Sequence, residues 1–267
     1  MSTPVEKGDE RKLFAGVASY YAKFRPWYPE EMFSYLRHRF GLNGKGRLLD
    51  LGCGTGQILL PLFKDFEEVV GLDIEPDMIV EAKKEAQKWG VTNVRWITGK
   101  AEDIGDMGEH FRLVTAGASL HWMDGAKVLQ KTYDSVERGG GVALIQNPTS
   151  GWTNNKEEWK KIRKEIIQKY LGVERRNGSF LAHGKDWEDL LDESPFGGYE
   201  ERTHDYEITW TLEQAIGYLY STSFAGREMF GDKITVFEQE LREELLKIVP
   251  NGIFREKVKV QVLSSKK

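Results

Sequence analysis

Five short apolar runs, each followed by a polar or amphipathic segment, occupy residues 47–147: "RLLDLG", "EEVVGLD", "NVRWIT", "FRLVTAG" and "GVALIQN". Between them, "QILLPLF" and "PDMIVEAKKEAQKW" read as helices. The second places Met78, Ile79, Ala82, Ala86 and Trp89 on one face and stops at Gly90. A further helix near "GAKVLQKTYDSV" is expected to run to the glycines at 139–141. Short buried strands alternating with helices imply a parallel sheet covered by helices on both faces.

Two helices precede this unit. One spans roughly 11–24, and the other opens at Pro29 and buries Met32, Phe33, Leu36 and Phe40. After residue 147 the rhythm changes. "NNKEEWKKIRKEIIQKYLG" is an amphipathic helix showing Trp159, Ile162, Ile166 and Tyr170, followed by a loop-rich stretch. "YEERTHDYEITW" alternates like a strand, and helices follow near 212–220 and 234–249. "REKVKVQVL" alternates at Val258, Val260 and Val262, and its Lys257 and Lys259 suit an edge strand with one wet face. The 267 residues fit one large α/β domain. The expected layout is a disordered tail at 1–10, a helical cap at 11–45 and a lid inserted at 148–198.

Composition narrows the function. The formal net charge of −4 lacks the basic surplus of a nucleic-acid binder. The single cysteine, Cys53, allows no internal disulfide, and the start carries no basic-then-apolar leader. No apolar run is long enough to cross a bilayer. The expectation is a cytoplasmic protein with neither membrane nor nucleic acid as partner; the oligomeric state is not legible. His38, His110, His183 and His204 show no metal-ligand spacing, so no metal is expected.

The loop after the first strand carries the chemistry. In an open parallel sheet, ligands lie beyond the carboxyl ends of the strands where strand order reverses. "DLGCGTGQ" places Gly52, Gly54 and Gly56 there as G-x-G-x-G, and Gln57 stands where a dinucleotide fingerprint needs its third glycine. Asp50, just before the loop, would repel a diphosphate and attract a cation. S-adenosylmethionine carries an ammonium and a sulfonium near its reactive end, and bare glycine backbone lets it approach closely. Asp73, with Ile74 after it, closes the second strand at the distance where an acid grips ribose hydroxyls; Glu75 is the alternative. In "GKAEDI", Ala101 and Glu102 can offer backbone groups or a carboxylate to an adenine edge. "AGASLHWMD" brings Ala118 and Ser119 beside the methionine part.

The motifs "YYAKFRPWYP", "LLDLGCGTGQ", "VVGLDIEPDMI", "GKAEDI" and "ASLHWMD" resemble class I S-adenosylmethionine-dependent methyltransferases. Within that superfamily the chain is similar to the small-molecule group that includes trans-aconitate methyltransferase-like enzymes. The resemblance covers about the first half of the chain. It implies a Rossmann-like sheet of seven strands with the last antiparallel, Asp50 and the glycine loop around the methionine portion, Asp73 at the ribose and Met78 near the adenine. Lys100 stands where many relatives carry an acid, which sets this chain's adenine contacts apart.

The remaining candidates flank this site. In "YYAKFRPWYP", Tyr20 or Tyr21 covers the cofactor, Arg25 meets a carboxylate of cofactor or substrate, and Tyr28 faces the substrate; the plainer reading is aromatic packing under a helix. His121 falls where the methyl group is delivered. It either acts as general base or lines the pocket without titrating. Trp122 and Trp152 are candidates for lining an acceptor pocket; Arg175, Arg176 and Arg227 read more plainly as solvated charges. The expected function is methyl transfer to a small acceptor, by O-methylation of a hydroxyl or carboxylate, with N-methylation also open. The competing readings are a nicotinamide-dependent oxidoreductase and a non-catalytic S-adenosylmethionine-binding regulator.

Overall fold

The computed structural model describes residues 16–107, 110–146, 157–172 and 185–267. The expected tail at 1–10, Trp152, Arg175, Arg176, His183 and parts of the 148–198 segment lie outside the described residues.

The alternating runs form one seven-stranded sheet. Its strands are β1 (Arg47–Leu51), β2 (Glu68–Asp73), β3 (Val94–Thr98), β4 (Phe111–Gly117), β5 (Val136–Gln146), β6 (Glu200–Thr211) and β7 (Ile253–Lys266). The order is β3-β2-β1-β4-β5-β7-β6. β1 to β5 are mutually parallel, and β7 runs antiparallel to both its neighbours. The order reverses between β1 and β4, so the crevice at their carboxyl ends is where a ligand is received.

Nine helices surround the sheet among the described residues. They are α1 (Ala18–Phe24), α2 (Glu30–Phe40), α3 (Leu59–Leu62), α4 (Pro76–Trp89), α5 (Gly125–Ser135), α6 (Glu158–Leu171), α7 (Trp187–Glu193), α8 (Leu212–Tyr220) and α9 (Ile234–Ile248). Alternation along each strand divides the core. Leu49, Leu51, Val114 and Leu144 face α5 and α7, whereas Leu48, Leu113, Ala143 and Ile145 face α2 and α3. A third core, separate from both, joins α6, α8 and α9 through Trp159, Ile166, Ile216, Phe237 and Leu241.

Several boundaries differ from the sequence reading, each for a physical reason. β7 is not an edge strand; it lies between β5 and β6, and β6 takes the edge. Its alternation reported one-sided burial, which a central strand also shows where its outer half overhangs the helices: Lys257 and Lys259 are exposed and Val258 and Val260 buried. α5 ends at Ser135, and the glycines at 139–141 lie inside β5. A Cβ on Gly141 would sit 2.0 Å from the Ser265 carbonyl oxygen, so that glycine serves strand packing rather than helix termination. Pro29 is the extended residue before α2 rather than part of its first turn. The 148–198 segment also divides: α6 joins the third core, while Trp187, Leu190 and Leu191 of α7 join the core under α5.

The third core holds buried charge. Lys160 on α6 is 1% exposed and its Nζ lies 2.7 Å from Oε1 of Glu256 on β7, itself 5% exposed. Trp210 Nε1 donates to the other Glu256 oxygen at 3.0 Å. Removing one partner of such a pair leaves an uncompensated buried ion. Glu256→Gln is therefore expected to destabilise the protein by about 3 kcal/mol in urea unfolding. Glu157, 3.3 Å from the same Nζ and more exposed, should matter less when replaced by Gln.

Candidate active site

The glycine loop is built from left-handed backbone. Gly52, Gly54 and Gly56 have φ of 62°, 53° and 94°, a region other residues rarely adopt. Space matters as much as conformation at Gly52, where a Cβ would lie 2.6 Å from Ser119 Cβ. Cys53 N donates to Leu72 O at 3.0 Å, stitching the loop to β2. Ser119 Oγ donates to Leu51 O at 2.7 Å, stitching it to the turn after β4.

Two acids lie beneath this loop. Asp50 is 1% exposed, and its Oδ1 accepts from Thr115 Oγ1 at 2.7 Å, its register partner on β4. Burial pushes the Asp50 carboxyl up to about 7; the nearby Asp73 charge adds to the shift, while the Thr115 hydroxyl and Leu59 amide oppose it. Asp73 accepts Gly54 N at 2.8 Å and Glu75 N at 2.9 Å. Burial raises its carboxyl as well, against those backbone donors. Among the described residues no basic side chain pairs with Asp50. The floor thus carries a negative charge that is costly to ionise and lacks a cation of its own.

The wall opposite is aromatic and cationic. The pocket is lined by Tyr21, Arg25, Pro26, Tyr28, Asp50, Gly52, Cys53, Gln57, Ile58, Gly117, Ala118, Tyr206 and Tyr218. Tyr21 reaches over the loop, 3.5 Å from where a Cβ on Gly54 would stand. The Arg25 guanidinium sits 4.7 Å from the Tyr21 ring and 4.9 Å from the Tyr218 ring. Gly117 admits Tyr28, whose hydroxyl would be 3.4 Å from a Cβ there. Ala118 is the one non-glycine with left-handed backbone among the described residues, at φ 48°. Such a residue stores about 1–2 kcal/mol.

The structure therefore brings Tyr21, Arg25, Tyr28, Asp50, Gly52, Gln57 and Ala118 into one pocket, with Gly54, Asp73 and Ser119 supporting it. Gly56 instead makes room for Leu60, 2.9 Å from its would-be Cβ. Ile74 is half-buried beside Asp73. Met78 packs under Val17, Ala18 and Tyr21. Ala101 belongs to the core, and Glu102 accepts Asp124 N at 2.8 Å, so its carboxylate ties two loops together. His121 and Trp122 do not line the pocket. The His121 ring lies 4.7 Å from Trp122 and 6.2 Å from Trp187, and burial lowers its pKa to about 4. Sequence reading missed Tyr206 and Tyr218, which come from β6 and α8. The alternation of "YEERTHDYEITW" marks a strand, but nothing local places its Tyr206 at the glycine loop.

Comparison with known proteins matches this geometry. Residues 48–140 match the family model described as a methyltransferase domain. Over those residues the chain is similar to a methyltransferase domain. Aklanonic acid methyltransferase DauC of Streptomyces sp. strain C5 is 36% identical over 102 residues, covering 37% of this chain and 46% of that protein. An uncharacterized RNA methyltransferase of Listeria innocua is 33% identical over 112 residues, covering 36% of this chain and 24% of that protein. The chain spans less than half the length of either relative. A crystal structure of an S-adenosylmethionine-dependent methyltransferase from Thiobacillus denitrificans, in complex with S-adenosyl-L-homocysteine, aligns over 96% of this chain and 97% of that one. Its TM-score is 0.50 at 16% identity, a likeness of fold. The seven-stranded order with antiparallel β7 is the layout the resemblance implied.

Asp50 makes the stability of this fold pH-dependent in a defined direction. Its folded pKa lies above the unfolded value of 3.8. The folded state thus holds the proton that the unfolded state has already lost. Stability from this group is complete below about pH 4 and declines as pH rises to about 7. The gap is worth about 4 kcal/mol at most. An Asp50→Asn variant is expected to gain on the wild type across that window in urea melts at pH 4, 5.5, 7 and 8. Parallel curves would refute the buried-acid assignment.

Proposed function

We propose that the protein transfers a methyl group from S-adenosylmethionine to a small molecule, with an oxygen of a carboxylate as the preferred acceptor. The observation that carries this reading is the division of charge across one pocket: Asp50 and Asp73 below, Arg25 among tyrosines above. The glycine cradle fits the donor because a side chain at Gly52 would collide with Ser119 and one at Gly54 would stand against Tyr21, which covers the loop. Asp50 faces the donor's cationic end, and Asp73 reaches its ribose with the lone pairs its two backbone donors leave free. Arg25 meets the donor's carboxylate, and Tyr21 covers it. Ile74 and Met78, with the backbone of Ala101 and Glu102, form the adenine side. When bound, the donor supplies the electrophilic methyl group.

The acceptor side is built from Tyr28, Tyr206 and Tyr218. Burial raises the phenols of Tyr21 and Tyr28 and the Cys53 thiol, so these groups keep their protons and act as hydrogen-bond donors. Behind Tyr218 lies Arg163 of α6, 5% exposed, its guanidinium 5.0 Å from the Trp159 ring and 6.0 Å from Tyr218. Burial lowers its pKa, against the Tyr218 ring and the Glu256 and Glu157 carboxylates. A wall of donors and cations suits an acceptor that is itself anionic. A carboxylate oxygen attacks the methyl carbon, the carbon–sulfur bond breaks with its electron pair left on sulfur, and no proton has to be removed. Alignment alone can supply roughly 7–11 kcal/mol of such a barrier.

His121 enters this reading as a packing residue beside Trp187, and it would serve as a weak base only for a hydroxyl acceptor. With a carboxylate acceptor, His121→Gln is expected to lower kcat by less than about tenfold, below the usual span of a general base. A loss of a hundredfold or more would restore the base role. The described part of the N-terminal cap, through Tyr21, Arg25 and Tyr28, is assigned to covering the site. The net charge of −4 does not favour a polyanionic acceptor, despite the RNA-related name of one relative.

Calorimetry with S-adenosylmethionine, S-adenosylhomocysteine and NAD tests the donor assignment. The first two should bind and NAD should not. A cation held by Asp50 lowers that carboxyl's pKa, so binding should release a proton and tighten about tenfold between pH 5.5 and 7. Asp50→Asn should weaken binding and flatten this dependence. NAD binding, or donor affinity equal in wild type and variant, would remove the assignment. Labelled donor incubated with panels of small carboxylic acids, their amides, amines and RNA then reads the acceptor class.

A further inference from the structure

We infer that Gly217 and Ser221, on successive turns at the end of α8, are positioning residues that hold Tyr21 and Arg25 over the methyl-donor pocket. This rests on the donor reading above, and neither residue lines the pocket itself. Both lie outside the 48–140 segment that matches the methyltransferase family.

The argument starts from α1. It has seven residues and no side-chain cap at its start, too few for a helix to stand alone in water. Yet it carries the residue that reaches over Gly54 and leads directly into Arg25. Something other than its own hydrogen bonds must fix it. On one side, Val17, Ala18 and Tyr21 pack on Met78 of α4. The other side is α8.

Three contacts join α1 to α8. Phe24 lies flat against Gly217, where a Cβ would fall 2.5–2.6 Å from three ring carbons. Glycine in a helix interior is a poor helix former, so its presence in α8 answers to this packing. Tyr20 meets Tyr220 edge-on, with ring centroids 5.3 Å apart. Arg25 Nε donates to Ser221 Oγ at 3.0 Å and Nη2 donates to Ser221 O at 3.2 Å. Ser221 is fully buried and closes α8, so the guanidinium meets the negative end of the helix dipole. Ser221 Oγ also donates to Tyr218 O at 2.6 Å, which spends its proton and leaves lone pairs for Arg25. Arg25 is thereby fixed between the Tyr21 and Tyr218 rings, and α1 becomes a strut between α8 and the glycine loop.

The test needs no acceptor. Ser221→Ala, Gly217→Val, Arg25→Gln and the Ser221→Ala/Arg25→Gln double variant are compared with wild type. The readouts are S-adenosylmethionine Kd by calorimetry, the urea midpoint, and the rate of trypsin cleavage at the Lys23–Phe24 bond without ligand. Loss of a hydrogen bond to a charged group predicts a Kd about tenfold higher for Ser221→Ala, with the urea midpoint lowered no further than Arg25→Gln lowers it. The double variant should bind no worse than Arg25→Gln alone, because Ser221 acts through Arg25. Gly217→Val should raise both Kd and the cleavage rate. The inference is overturned if Ser221→Ala and Gly217→Val bind the donor and resist trypsin as wild type does, or if the two single losses simply add. Should wild type bind no donor, the donor reading fails by itself, and the trypsin rates alone then decide whether α8 holds α1.

Discussion

Asp73 accepts the Gly54 amide, and that hydrogen bond fixes the site. It draws the turn after β1 onto the tip of β2, so a chain of left-handed glycines passes directly above two buried carboxylates. Neither acid is comfortable there: burial raises both, and the Asp73 charge raises Asp50 further. A protein keeps such an arrangement when something positive is to be received. Folding stability and ligand affinity are then opposite consequences of one interaction, because the charge that is costly in the empty pocket is what the donor's cationic end requires.

The opposite wall follows from how the rest of the chain is disposed. The sheet's two faces are filled by α2, α3, α4, α5 and α7, and what remains forms a separate core of α6, α8 and α9 at one end. That core carries cations inward. Lys160 is neutralised by Glu256, whereas Arg163 and Arg25 lie against aromatic rings. Aromatic faces tolerate a guanidinium without cancelling its charge. The pocket is therefore polarised across its width, from Asp50 on one side to Arg25 among the tyrosines on the other.

Much of the acidic side of the pocket was legible in the sequence. Asp50, Gly52, Gly54, Gln57 and Asp73 are bound to one another by short spacing and by strand ends, and local rules place them together. Tyr21, Arg25 and Tyr28 were legible as a motif, and the structure sets all three at the pocket. His121 was harder, because a strand-end position fixes a residue's height in the fold but not the direction of its ring, which here turns toward Trp187. The place of β7 was misread for a related reason. Alternation reports which side chains are wet, whereas strand order depends on pairing partners far away in sequence.

The sequence by itself determined the alternating sheet and the acidic glycine turn, because each depends on residues within a few positions of one another. Only the tertiary structure decided what closes the pocket. Arg25 and Ser221 are 196 residues apart, and Tyr206 and Tyr218 reach the glycine loop from a strand and helix formed late in the chain. Periodicity carries no information at that separation; it is settled by which surfaces remain to be buried once the sheet has been covered.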